Sequence, residues 1–233
     1  MKKAFALILA MVMVLSLFAA CSGPSDTDAK THQESVAPET EEEQTTEDAT
    51  TNIPEGFTLG EYSGQTYENT FIKVGCRLPA DWTYRTEAEL KGMLSIPEGV
   101  AGDDLLDAYA KTTVFYVMMA SSNSVENCNI TMEKVAADTL EALDLKENNE
   151  RILPMMAQAL EAAGATGLSL ELGTVMLDGV TFDCIDSRLT LNGVNMVQCC
   201  IPMKCDGYLV SLTLTASNEE NMEELLDYFY LLK

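Results

Sequence analysis

Residues 168–215, LSLELGTVMLDGVTFDCIDSRLTLNGVNMVQCCIPMKCDGYLVSLTLT, hold three turn dipeptides between four β-rich runs. Asp178-Gly179, Asn192-Gly193 and Asp206-Gly207 follow one another at 14-residue intervals. Such pairs tolerate positive φ at both central positions, as type I′ hairpin turns require. The runs Leu168 to Leu177, Val180 to Leu191, Val194 to Cys205 and Tyr208 to Thr215 are therefore predicted to form a four-stranded antiparallel meander.

Two-residue loops fix the register. Leu191 then faces Val194, Cys184 faces Ile201, and Cys199 faces Leu214. In the last run Tyr208, Val210, Leu212 and Leu214 make the apolar face, shared across the sheet by Val197, Cys199, Ile201 and Met203. Cys184 lies on that face diagonal to Cys199, and of the pairs within the meander only Cys184 with Cys199 suits a short-range disulfide. Cys200 points the other way, and Cys199 and Cys205 sit about 20 Å apart on one strand. In the second run the apolar set moves from Val180 and Phe182 to Ile185, Leu189 and Leu191. A bulge near Cys184, or helices covering both faces, accounts for the switch. Pro202 implies local irregularity in its strand.

Outward from the meander, Phe71 to Leu78, Thr112 to Ala120 and Asn127 to Val135 read as further strands, the second apolar on both faces and so central. Thr86 with Glu89 forms a capping-box pattern ahead of Leu90, Met93 and Leu94. A second amphipathic helix is predicted over about Glu147 to Ala163, strained by Pro154. Ser217 with Glu220 is predicted to cap a last helix running through Met222, Leu225, Leu226, Phe229 and Leu232. The expectation is one α+β domain over 53–233, an antiparallel sheet with helices on its flanks. About 180 residues suffice for one buried core and are short for two.

This order of elements, with the segment Leu78-Pro79-Ala80-Asp81-Trp82, resembles the PsbP-like fold, an α/β/α layered domain that recurs in small bacterial lipoproteins. The resemblance covers roughly Phe57 to Leu232. It implies a binding or assembly module rather than an enzyme, and no functional residue carries over by motif. Trp82, the sole tryptophan, is expected to plug the core at a strand end.

The N-terminal region reads differently. Met1-Lys2-Lys3 precedes an uncharged stretch from Ala4 to Ala20, too short to span a bilayer comfortably and closed by small residues, so 1–20 reads as a signal peptide. Leu17-Phe18-Ala19-Ala20-Cys21 resembles the lipobox of bacterial lipoproteins, which implies lipidation of Cys21 and attachment to the extracytoplasmic face of the cell membrane. In the lipobox the leucine usually lies three positions before the cysteine, where this chain has Phe18. Two acyl chains suffice for stable anchoring, at about 0.8 kcal/mol per buried methylene. The rest of 21–52 is poor in apolar residues and carries nine acidic residues against the single base Lys30, the composition of a solvated spacer.

Composition then removes whole classes of chemistry. The formal net charge is −23, and the bases are scattered singly, so no nucleic-acid partner is expected. The only histidine is His32, in the spacer. The folded region therefore lacks the imidazole of Ser-His-Asp and Cys-His sites and of His-ligated metals. Cys199, Cys200 and Cys205 lack zinc-knuckle spacing, and no C-x-x-C occurs, so neither a metal nor a cofactor is expected. What remains is a non-enzymatic surface module holding a protein or small ligand. One rival is a carboxylate-dependent glycan hydrolase, needing two acids about 5 to 10 Å apart. The other is a calcium-dependent adhesion or stability domain around Asp103-Asp104 and Glu219-Glu220, although those acids also suit helix first turns.

Overall fold

A computed structural model describes residues 53–97, 99–122 and 125–233. The signal peptide, the lipobox with Cys21, and the spacer lie outside the described residues.

The domain is mixed α+β, built on two antiparallel sheets. β1 (Glu61–Ser63), β2 (Thr66–Asn69) and β3 (Val74–Arg77) form a small sheet closed by the C-terminal β11 (Phe229–Leu231) in the order β1-β2-β3-β11. The large sheet holds β4 (Thr83–Tyr84), β5 (Val114–Ser121), β6 (Asn127–Lys134), β7 (Thr166–Leu177), β8 (Val180–Leu191), β9 (Val194–Cys205) and β10 (Tyr208–Ala216). Its order is β4-β5-β6-β10-β9-β8-β7, so the C-terminal four strands are the expected meander. Five helices accompany the sheets among the described residues: α1 (Glu87–Met93), α2 (Asp103–Lys111), α3 (Ala137–Ala142), α4 (Leu145–Ala162) and α5 (Glu219–Asp227).

The main core lies between the sheets. Tyr67, Val74 and Cys76 of the small sheet meet Phe115, Met118, Ile130, Met132, Val210, Leu212 and Leu214 of the large one, with Tyr109 of α2 and Met222 and Leu225 of α5 in the same cluster. The opposite face of the large sheet is covered by α4, whose Ile152, Met156 and Leu160 pack on Ile185, Cys200, Leu189 and Leu191. Leu90 of α1 and Leu140 of α3 cover other parts of that face.

Double coverage explains the switch of apolar face in β8. Cys184 belongs to the main core, whereas Ile185 and Leu189 belong to the clusters under α4. No bulge is involved, because β7 and β8 pair without a break from Ser169↔Arg188 to Leu177↔Val180. Register shifts occur elsewhere, in β5 between Tyr116 and Met118 and at the far end of the β7–β8 pair between Thr166 and Ser169.

Two of the three hairpin turns have the expected backbone: φ is 49° and 79° at Asp178 and Gly179, and 53° and 80° at Asn192 and Gly193. The third differs, since Gly207 is left-handed at 79° while Asp206 is not. One left-handed residue at the second central position is the pattern of a type II turn, not type I′. The pairings Leu191↔Val194 and Leu214↔Cys199 are as predicted. Cys184 does not pair with Ile201, because the β8–β9 ladder stops at Ile185↔Cys200. Pro202 lies beyond that point, so β8 asks no ladder bond of its missing N–H.

The C-terminus departs from the helical expectation. α5 stops at Asp227, and Phe229 pairs with Cys76 instead of continuing the apolar stripe. The open edge of β3 competes successfully: Arg77 N donates to Tyr228 O at 2.9 Å and Leu232 N to Lys73 O at 2.9 Å. Gly75 makes room, since a Cβ there would lie 2.5 Å from the Tyr230 ring. The cap of α5 is Asn218, whose Oδ1 accepts from Asn221 N at 3.0 Å, not Ser217. The predicted capping box of α1 is present, with Glu89 N donating to Thr86 Oγ1 and Thr86 N to Glu89 Oε2.

Candidate functional site

A cleft of about 300 Å³ opens where the β3–β4 connection, the β5–β6 connection and one face of α5 converge. The connection supplies Pro79, Asp81 and Trp82; Ser122 and Glu126 come from the β5–β6 connection. Asn221, Glu224 and Leu225 of α5 and Tyr228, which caps its end, fall at i, i+3, i+4 and i+7 on one side of the helix.

The connection is stapled in place. Trp82 N donates to Pro79 O at 3.1 Å, and Gln65 Nε2 donates to Pro79 O at 2.7 Å and Trp82 O at 3.2 Å. Trp82 is 7% exposed and belongs to the main core, so the plug expected from the sequence also walls the cleft.

Glu126 is the organising residue. Ser217 Oγ and Asn221 Nδ2 each donate to its Oε1 at 2.9 Å, and Ser122 Oγ donates to Oε2 at 3.1 Å. Burial pushes this carboxyl up, but the converging donors outweigh it and hold the group below the usual carboxylate range. Tyr228 donates its hydroxyl to Glu224 at 2.5 Å. Burial and that hydrogen bond push the phenol up, keeping it protonated. The lining thus carries three acids, Asp81, Glu126 and Glu224, and no base.

A glycan hydrolase needs one carboxyl held neutral in the same cleft. Burial pushes the carboxyl of Glu133 up to about 7, and Glu133 does not line the cleft. Its Oε1 is buried without a hydrogen-bond partner, on the face of the large sheet that also buries Asn129, Thr131, Ser211 and Gln198. The acids of the calcium reading sit in helix first turns: Asp103 and Asp104 open α2, and Glu219 and Glu220 open α5. Glu219 is paired with Arg188 at 2.8 Å.

The two cysteines singled out for a disulfide are brought together as free thiols, both buried. Cys184 Sγ, Cys199 Sγ and a carboxylate oxygen of Asp186 lie within 4.8 Å of one another. The neighbouring Cys184 thiol and burial together push the Cys199 thiol up. Cys200 points to the opposite face, as the alternation requires, and lies under α4. Sequence reasoning missed Asp186 here, having weighed cysteines only against cysteines. It also missed Glu126, Asn221, Glu224 and Tyr228, although the last three carry a detectable signal in their helical spacing.

No family model matches the chain, and no curated protein matches it. Among solved structures, the chain is similar to a protein from Bacteroides thetaiotaomicron (TM-score 0.37, 12% identity, 73% of this chain and 49% of that one). It is also similar to LpqN, involved in cell envelope biogenesis of Mycobacterium tuberculosis (TM-score 0.33, 10% identity, 69% of this chain and 83% of that one). A Pseudomonas aeruginosa protein of unknown function gives a TM-score of 0.27 at 13% identity, over 43% of this chain and 67% of that one. The chain spans about half the length of the Bacteroides structure it matches. No described helix is long and apolar enough to cross a membrane.

Proposed function

We propose that the chain is a non-enzymatic, lipid-anchored module of the bacterial cell surface, held through Cys21 and carrying a PsbP-like domain. Its cleft takes a positively charged group of a protein or small ligand. The observation that carries this reading is the cleft lining: three acids without a base, beside Trp82 and Tyr228. A cation entering it meets carboxylates interleaved with aromatic surface: Asp81 comes with Trp82 from one connection, and Glu224 is bonded to Tyr228.

Titration of the protein with trilysine, followed by the fluorescence of its single tryptophan, tests this. A saturable change that weakens several-fold in Glu224→Gln and with added salt supports the reading, with triglutamate giving none. Absence of any saturable change with trilysine overturns it.

A further inference from the structure

The Cys184, Asp186 and Cys199 cluster has no part in the cleft. Asp186 pairs directly with Cys199 across the β8–β9 ladder, and Cys184 stands two residues along β8 on the same face. Cys184 Sγ lies 3.7 and 3.6 Å from the two carboxylate oxygens of Asp186. The carboxylate occupies a niche left open by Gly173: a Cβ there would lie 2.3 Å from Asp186 Oδ2 and 3.3 Å from Cys184 Sγ.

We propose that Cys184, Asp186 and Cys199 form a binding site for a borderline-soft divalent cation, zinc in the first instance. Tetrahedral zinc with bonds of about 2.3 Å to sulfur and about 2.0 Å to oxygen needs sulfur–oxygen separations of about 3.5 Å. The Cys184–Asp186 separations of 3.6 and 3.7 Å already match that edge. Two sulfur ligands exclude calcium and magnesium, which require oxygen. Binding replaces the two thiol protons, which leave to solvent, and a water fills the fourth position. Asp186 is the half-buried member, so ion and water reach the cluster from its side.

The main competitor for these sulfurs is a disulfide, and strand geometry disfavours it. Diagonal neighbours in a sheet lie about 7–8 Å apart, whereas bridged cysteines rarely exceed about 6.8 Å between Cα atoms.

The test is zinc titration of the purified protein, reading stoichiometry by calorimetry and the unfolding midpoint with and without metal. The expected result is one ion per chain and a raised midpoint. Affinity should fall at least tenfold in Asp186→Asn, which leaves the buried thiols untouched, and further in Cys199→Ser, with Cys200→Ser unchanged. Three results would overturn the site: no stoichiometric binding by reduced protein, binding indifferent to Asp186→Asn and Cys199→Ser alike, or a Cys184–Cys199 disulfide in protein isolated without reductant. None of these outcomes bears on trilysine binding at the cleft.

Discussion

Asn221 Nδ2 donates to the Glu126 carboxylate at 2.9 Å, joining α5 to the β5–β6 connection across 95 residues of chain. That bond and its two companions fix the far wall of the cleft relative to Trp82.

Replacing Glu126 by alanine removes an ionised acceptor with three side-chain donors. Each bond to a charged group is worth roughly 1 kcal/mol or more net, so the unfolding free energy should fall by about 2–3 kcal/mol. Urea unfolding checks this; a loss below about 0.5 kcal/mol contradicts the anchoring role of Glu126.

Glu133 makes stability depend on pH. Its folded pKa, pushed up to about 7 by burial, lies above the unfolded value near 4.5. The folded state therefore binds the proton more tightly. That contribution is complete below about pH 4.5 and is lost as pH rises through 7. Glu126 has the opposite sign: its depressed pKa contributes stability above pH 4.5 that disappears in acid. Glu133→Gln should flatten the decline between pH 5 and 8 and exceed the parent by about 3 kcal/mol at pH 8. Equal slopes for the two proteins would refute this assignment.

The odd hairpin predicts an asymmetry among prolines. Proline needs φ near −65°, which the left-handed Asn192 cannot adopt without rebuilding the turn. Asn192→Pro should cost about 3 kcal/mol or more, while Asp206→Pro, at the first central position of a type II turn, should cost under about 1 kcal/mol. Similar losses in the two variants would mean the turns are alike.

Phe229 is 3% exposed and paired with Cys76 at the edge of the small sheet. Its truncation to alanine should cost about 3–5 kcal/mol. Amide exchange should show Leu231 and Leu232 protected in the parent and not in this variant. Fast exchange at Leu232 in the parent itself would argue that β11 does not form.

The meander was legible because its signals are local. Gly and Asx pairs at fixed spacing, with a period-two apolar pattern, specify loop length and register together. Phe229 was misread because its spacing from Leu225 is equally good for a helix, and the deciding factor, the free edge of β3, lies about 150 residues away in sequence. The small sheet was only partly visible: β1 and β2 are three and four residues long, too short to show periodicity. The cleft was hidden for a related reason. Glu126 looks like any surface acid until Ser217 and Asn221 arrive from the far end of the chain.

The most direct test of the cleft as a cation-binding site is to follow backbone, indole and side-chain amide NMR signals of the protein as trilysine is added. Cation binding in the cleft should give concentration-dependent shifts concentrated at the Trp82 indole, the Asn221 side-chain amide and the backbone of Glu224 to Tyr228. Shifts scattered over the acidic surface, with Trp82 and Asn221 unmoved, would contradict it.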